Sequence, residues 1–187
     1  LFHKPDSADL AALSAWATVL PGASASEDYA HDEMTEYGAF APDALALCES
    51  AEGVAKVLGY CAQKNIAVTP RGAGTGLCGG AVPIHGGVVL SLERMNRILE
   101  IDENTMTATV EPGVLLSDFI REVEARGLFY PPDPGEKTAT LGGNAMTNAG
   151  GMRAVRYGVT RDYVLGMQVA LPSGELLDLG GKVVKTS

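Results

Sequence analysis

The chain has 187 residues, 46% of them apolar and 20% charged, with a formal net charge of −9. That length suits one or two small domains with a real core, and the apolar content excludes a disordered segment. The acidic balance argues against nucleic acid as a partner, which calls for a basic face, and no stretch reaches the roughly 18 apolar residues of a membrane-spanning helix.

No signal-peptide pattern opens the chain, and because Leu1 is not a methionine the start reads as trimmed. Asp6 or Ser7 is placed to cap a first helix carrying Leu10, Leu13, Trp16 and Leu20 along one side. Residues 1–28 therefore read as an N-terminal helical extension. An acidic stretch from Glu27 to Glu36 reads as a solvated connection, and its consecutive His31, Asp32 and Glu33 cannot share one face, which argues against a metal site. Ala44 to Cys48 is predicted as a strand and Ala51 to Asn65 as a helix, with Val54, Val57, Leu58 and Cys61 at helical spacing. A second strand, Ile66 to Thr69, completes a strand–helix–strand order that predicts a small parallel unit.

That strand delivers the chain into Arg71-Gly72-Ala73-Gly74-Thr75-Gly76-Leu77-Cys78-Gly79-Gly80-Ala81. Seven glycines between 72 and 87 are costly in backbone entropy. A binding role offsets that cost, because successive amides in such a loop converge into a nest for an anion, most often a phosphate. The bland alternative is a surface connection without a ligand. Gly74 to Gly79 also reads as G-x-G-x-x-G, but a nicotinamide-dinucleotide fingerprint needs a helix directly after it, and more loop and a strand follow here. Arg71 either eases the binding of the anion or solvates the loop edge.

Past the loop, Val88–Leu92, Ile98–Ile101 and Thr105–Glu111 are predicted as strands. In the last, Met106, Ala108 and Val110 alternate with threonines, as in a half-buried antiparallel strand. Val114 to Arg126 is an amphipathic helix with Leu115, Leu116, Phe119, Ile120 and Val123 on one face and Gly127 as its stop. Gly142 and Gly143, with Asn148, Gly150 and Gly151, mark the ends of a short helix. Val164–Leu171 and Glu175–Leu179 form a final hairpin around Pro172-Ser173-Gly174. The fold class is α+β, in two subdomains dividing near residues 83–88: a small parallel-stranded unit (29–86) and a larger, mostly antiparallel unit flanked by helices (87–187).

Cys48, Cys61 and Cys78 are odd in number and far apart, so reduced thiols in a cytoplasmic protein are the simplest reading. No nucleophile-elbow context supports hydrolysis.

The glycine loop, Tyr130-Pro131-Pro132-Asp133-Pro134-Gly135, the run Thr140 to Gly151, and Arg156-Tyr157-Gly158 with Val164 to Leu179 occur in one order. Together these blocks, across residues 29–187, resemble the PCMH-type FAD-binding domain of the vanillyl-alcohol oxidase flavoprotein family. Within it they are most similar to the group holding the glycolate oxidase flavin subunit and the D-lactate and D-2-hydroxyglutarate dehydrogenases. The resemblance implies FAD held between the two subdomains and hydride transfer from a 2-hydroxy acid to flavin N5. It implies that the backbone of Gly72, Ala73, Gly74, Thr75 and Gly76 faces the diphosphate, with the Thr75 hydroxyl as a further donor. Arg71, Leu77, Gly80 and Ala81 join them.

On the far side it implies cofactor contacts from Pro132, Asp133, Gly142, Gly143, Asn148, Gly150, Gly151, Tyr157 and Gly158. Asp133 would lie beside the ring and tune it, and the helix entered at Gly142 would offer free amides. Asp133 is equally a common turn residue, and Tyr157 fits as a half-buried core aromatic. Relatives that attach flavin covalently use a histidine in the first glycine loop. This loop has none, so noncovalent FAD is expected and Cys78 reads as a small packing residue.

Relatives continue into a substrate (cap) domain, so the chain ending at Lys185-Thr186-Ser187 reads as a fragment, inactive alone, with its catalytic base elsewhere. The implied partners are a small 2-hydroxy acid and an electron-accepting subunit, through which the protein would sit at the inner membrane. A nicotinamide-dependent flavin reductase and a binding module without activity are the alternatives from other classes.

Overall fold

In the computed structural model, which describes residues 1–182, the chain opens with helix α1 (Ser7–Leu13) and strand β1 (Thr18–Pro21). Asp6 Oδ1 accepts from the amides of Ala8 and Asp9 at 2.8 and 2.9 Å, and Asp9 Oδ2 accepts from the Asp6 amide at 3.1 Å, a reciprocal cap. The helix stops at Leu13, so Trp16 and Leu20, expected on its face, lie beyond it. A seven-residue helix is marginal alone. Beyond it the antiparallel ladder from Thr18↔Leu47 to Pro21↔Ala44 takes the backbone hydrogen bonds instead. The expected terminal segment after Lys182, including Lys185-Thr186-Ser187, lies outside the described residues.

Asp9 is buried, and its other oxygen accepts from the Tyr60 hydroxyl at 2.7 Å while Oδ2 also takes His3 Nε2 at 2.8 Å. The Asp6 amide first, then the Tyr60 hydroxyl and His3, lower its pKa from 3.8 to about 2. A depressed carboxylate contributes stability above its unfolded value and loses it as pH falls through the folded one. We therefore expect Asp9→Asn to flatten the acid limb. Urea midpoints of the natural protein should fall relative to the variant between pH 4 and pH 2, and parallel curves would contradict this.

Strands β2 (Ala44–Leu47), β3 (Val68–Arg71) and β4 (Val88–Ser91) complete a sheet in the order β1-β2-β4-β3, with β4 parallel to both neighbours. Alternation sends Ala44, Ala46 and Cys48 to one side of β2 and Leu45 and Leu47 to the other. Both sides are buried, as in a parallel sheet covered on two faces. On the first face lies helix α2 (Ala51–Gln63), capped by Ser50 accepting from the Gly53 amide at 3.1 Å. Its Val57 and Cys61 join Leu13, Ile66, Val88 and Leu90, with Val54 and Leu58 packed alongside. On the second face Leu20, Ala25 and Tyr29 cover Leu45, Leu47 and Val89.

Two expectations change here. The strand at 88–91, read with the second unit, sits in the middle of this first sheet, because it alone can hydrogen-bond β2 and β3 together. The acidic stretch 27–36 is a solvated connection only in part: Glu27, Asp28, Glu33 and Glu36 are exposed. It folds into 3₁₀ turns at Glu27–Ala30 and Thr35–Tyr37, lays Tyr29 on the sheet and buries Asp32.

The second half holds two antiparallel ladders, β5 (Ile98–Asp102) with β6 (Thr107–Val110) and β7 (Gly166–Ala170) with β8 (Leu176–Gly180). Helix α3 (Leu116–Glu124) lays Phe119 and Val123 on Ile98, Ile101, Ala108 and Val110. Met106 does not continue the alternation. It turns the hairpin at φ +53° and stands exposed. Helices α4 (Leu141–Thr147) and α5 (Ala154–Tyr157) follow α3. The β7–β8 turn packs on α2, where Gly59 meets Gly174. Among the described residues no helix is long and apolar enough to cross a membrane.

Candidate functional site

At the carboxyl end of β3 the chain leaves the sheet, the edge where α/β units place their ligands. From Gly72 to Ala81, among the described residues, no backbone amide donates to a protein acceptor. Ten successive free donors in a glycine-rich loop form the donor set of a nest, suited to a diphosphate rather than to a cation. The Thr75 hydroxyl is likewise without a protein partner, Leu77 is exposed, Gly80 meets nothing within 4 Å, and Ala81 is half-buried. Cys78, read as a packing residue, is exposed instead.

What holds the loop is Arg71. The residue is 6% exposed, Nη1 donates to the carbonyl of His31 at 2.6 Å and Nη2 to that of Asp28 at 2.7 Å, and the guanidinium lies 5.4 Å from the Tyr29 ring centroid. Of the two readings of Arg71, solvating the loop edge does not hold: the residue lies beneath the loop. Burial pulls its pKa down, and neighbouring Tyr29, Asp32 and Asp28 oppose that shift. A side chain at Gly74, where φ is +74°, would collide with this guanidinium. One at Gly72 would strike Thr140 Oγ1, so the loop rests directly on the start of α4.

Thr140 caps α4 by accepting from the Gly143 amide at 3.2 Å, while Leu141 donates to Val114 at 2.8 Å and Gly142 to Pro112 at 2.8 Å. The expected free amides at Gly142 and Gly143 are thus already bonded. Glycine is required at 142 because a Cβ would overlap Pro112. Asn148 ends the helix in the left-handed region (φ +50°), and its Oδ1 accepts from the Arg161 amide at 3.0 Å. The amides of Gly150 to Arg153 have no protein acceptor among the described residues, giving a second row of free donors.

A Cβ at Gly151 would enter the Asp133 carbonyl, which ties this row to the proline segment. Pro132 is fully buried, and Asp133 is paired with Lys137 and with Arg153 (Nε to Oδ2, 3.3 Å). Lys137, and then Arg153, hold its carboxyl below the ordinary range, so Asp133 is a paired anion rather than a proton acceptor. Tyr157 is half-buried, edge-on to Phe129 at 5.8 Å, and its carbonyl takes the Tyr163 hydroxyl at 2.7 Å. Gly158 follows at φ +86° over the Asp162 carboxylate.

The structure thus brings the sequence-selected residues into two groups, 71–81 resting on Thr140 and 132–133 with 148–158, while Gly142 packs on Pro112 and Gly143 is bonded to the Thr140 cap. Sequence reasoning missed three buried polar residues here. Thr140 carried a usable signal, since a threonine before a short helix is a cap. Asp32 was hidden in an acidic run, and Asn144 in a glycine-rich one. Asp32 Oδ2 and Asn144 Nδ2 are buried without partners, as expected where a ligand completes the bonding.

The model of the family described as "FAD binding domain" matches residues 42–180. The chain is 54% identical over 169 residues to D-lactate dehydrogenase of Anaerostipes hadrus, covering 90% of this chain and 36% of that protein. It is 48% identical over 158 residues to glycolate oxidase subunit GlcD of Bacillus subtilis, covering 84% and 33%. The fold superposes on 6-hydroxy-D-nicotine oxidase of Arthrobacter nicotinovorans with TM-score 0.68 and 25% identity, over 96% of this chain and 35% of that one. The chain thus spans about a third of the length of the relatives it matches. A glycine loop of free amides follows a parallel strand, a second row of free amides lies at 150–153, and the chain belongs to the FAD-binding domain family.

Proposed function

We propose that the chain is the cofactor-holding part of a flavin-dependent 2-hydroxyacid oxidoreductase that converts a 2-hydroxy acid to a 2-oxo acid. The observation that carries this is the run of unpartnered amides from Gly72 to Ala81, in a chain whose relatives are named D-lactate dehydrogenase and glycolate oxidase subunit. FAD, when bound, supplies the hydride acceptor. The amides of Gly72 to Gly76 and the Thr75 hydroxyl hold its diphosphate, Arg71 fixes the loop from below, and Leu77, Gly80 and Ala81 form the rim. Gly150 and Gly151 contribute the second row of donors, beside Tyr157 and Gly158. Gly142, Gly143, Pro132 and Asn148 set the backbone that presents that row, and Asp133 places a paired negative charge in that half of the site.

The two cofactor-holding units divide beyond Ser91 in this reading, with β1 part of the first. Groups that bind the substrate carboxylate and take the hydroxyl proton come from the rest of the protein, as does contact with an electron-accepting subunit. Noncovalent binding fits a loop without histidine, and a cytoplasmic setting fits three unpaired cysteines. D-2-hydroxyglutarate is a second candidate substrate, since a relative named for that activity is 44% identical over 147 residues.

Titrating the flavin-free protein with FAD and FMN tests the cofactor reading. We expect FAD to bind about 100-fold more tightly, because only it carries the diphosphate and several charge-assisted bonds of about 1.5–3 kcal/mol each. Equal affinities would overturn it. Turnover of a panel of 2-hydroxy acids by the full-length protein then tests the reaction, and flavin bleaching by NADPH without turnover of any of them would favour a reductase.

A further inference from the structure

Asp32 is 3% exposed, and its two oxygens differ in kind. Oδ1 accepts from the Met34 amide at 2.9 Å, whereas Oδ2 is buried with no hydrogen-bond partner. The residue is anchored to the glycine loop from two sides. The Glu33 amide donates to the Gly76 carbonyl at 3.1 Å, and Arg71 holds the carbonyl of His31 at 2.6 Å. In the direction a side chain would take from Gly76, Oδ2 is the only atom within 4 Å, at 3.7 Å from an ideal Cβ. The missing side chain leaves a gap the size of a methyl group beside the unpartnered oxygen.

The sign of this group is informative. A loop that bound only a diphosphate would be weakened by a carboxylate directly behind it; Arg71 offsets that charge only through space, and a buried oxygen left without a donor is expensive. The arrangement makes sense if the ligand brings a donor as well as an anion. In a flavin dinucleotide the groups flanking the diphosphate on both sides are hydroxylated five-carbon sugar chains, and a hydroxyl is the donor that a carboxylate accepts. Acidic residues take ribose hydroxyls in the same way in other dinucleotide sites.

We propose that Asp32 Oδ2 is the acceptor for a sugar hydroxyl next to the diphosphate, reached through the gap at Gly76, so that the site reads a hydroxylated dinucleotide and not a diphosphate alone. The inference rests on the FAD reading above and adds a specificity-determining residue to it.

Two variants test it in the flavin-free protein. Asp32→Asn keeps the shape and removes the charge. Gly76→Ala keeps Asp32 and fills the gap; the position has no positive φ, and its methyl would meet only Oδ2 at van der Waals distance, so the fold tolerates it. Calorimetric titrations would use FAD, ADP and inorganic diphosphate. Both variants should weaken FAD about 10-fold or more, the loss of one charge-assisted hydrogen bond. Inorganic diphosphate should bind Asp32→Asn as well as the natural protein or better, since a nearby negative charge is gone. An equal loss with ADP assigns the hydroxyl to the adenosine ribose, and a loss confined to FAD assigns it to the ribityl chain.

FAD affinity within twofold in Asp32→Asn overturns the proposal. So does a parallel loss of diphosphate binding, which would make Asp32 a brace for the loop. Failure of the natural protein to bind FAD overturns the cofactor reading itself, a separate outcome.

Discussion

Arg71→Leu is expected to abolish FAD binding and to lower the melting temperature by about 10 °C. The guanidinium donates to two carbonyls 40 and 43 residues back in the chain, at 2.6 and 2.7 Å, and stacks on Tyr29. Each such bond contributes about 1.5–3 kcal/mol. Leucine removes both, leaves the carbonyls without their donor and opens a void, a combined cost of about 3–5 kcal/mol. For a chain of this size each kcal/mol lowers the melting temperature by about 2–4 °C.

The larger effect falls on the loop. Gly74 closes over the guanidinium and Gly72 rests on Thr140, so the amides between them are aimed by the group that leucine deletes. Arg71→Lys should be intermediate, because an ammonium lacks the fork that spans two carbonyls. Scanning calorimetry with an FAD titration checks both, and undiminished FAD affinity in Arg71→Leu would show that the loop holds its shape without this support.

Gly59→Val is expected to separate α2 from the β7–β8 hairpin. A Cβ at 59 would lie 3.2 Å from Gly174 Cα and 3.3 Å from the Ser173 carbonyl, backbone that can give only by a few tenths of an ångström. Alanine also gains helix propensity, about 1 kcal/mol over glycine, which offsets that squeeze, so Gly59→Ala should be close to neutral. Valine adds two methyl groups at the same contact. Overpacking of this kind costs about 1–3 kcal/mol, which corresponds to a fall of roughly 2–12 °C. The FAD affinity of Gly59→Val should fall as well, since α2 belongs to the unit that carries the glycine loop. Melting curves of the two variants side by side test this; an alanine variant as damaged as valine would place the constraint in the helix backbone rather than at the hairpin.

Much of this architecture was legible without coordinates, for local reasons. The spacing of Val54, Val57, Leu58 and Cys61 identified α2, because a helix buries every third or fourth residue wherever it packs. Pro172-Ser173-Gly174 identified the last turn, and the glycines of 72–80 identified the loop, because chain conformation there depends on the residues themselves. The family blocks identified the cofactor by the same local evidence.

Partnerships across the chain were not legible. Leu10, Leu13, Trp16 and Leu20 keep helical spacing, yet the ladder of Thr18–Pro21 on β2 decided where α1 ends. Val88–Ser91 read as a strand, but its place between β2 and β3 follows from hydrogen bonds to residues 20 and 44 positions earlier. Arg71 read equally as an anion partner or a solvated loop edge, and Asp32 as part of a solvated run, because nothing in their neighbours shows that one lies beneath the glycine loop and the other behind it. Sequence by itself determined most of the helices and strands, the loop and the family. Tertiary structure alone decided which polar groups are buried and which amides stay free, since burial and hydrogen bonding depend on contacts between segments far apart in the chain.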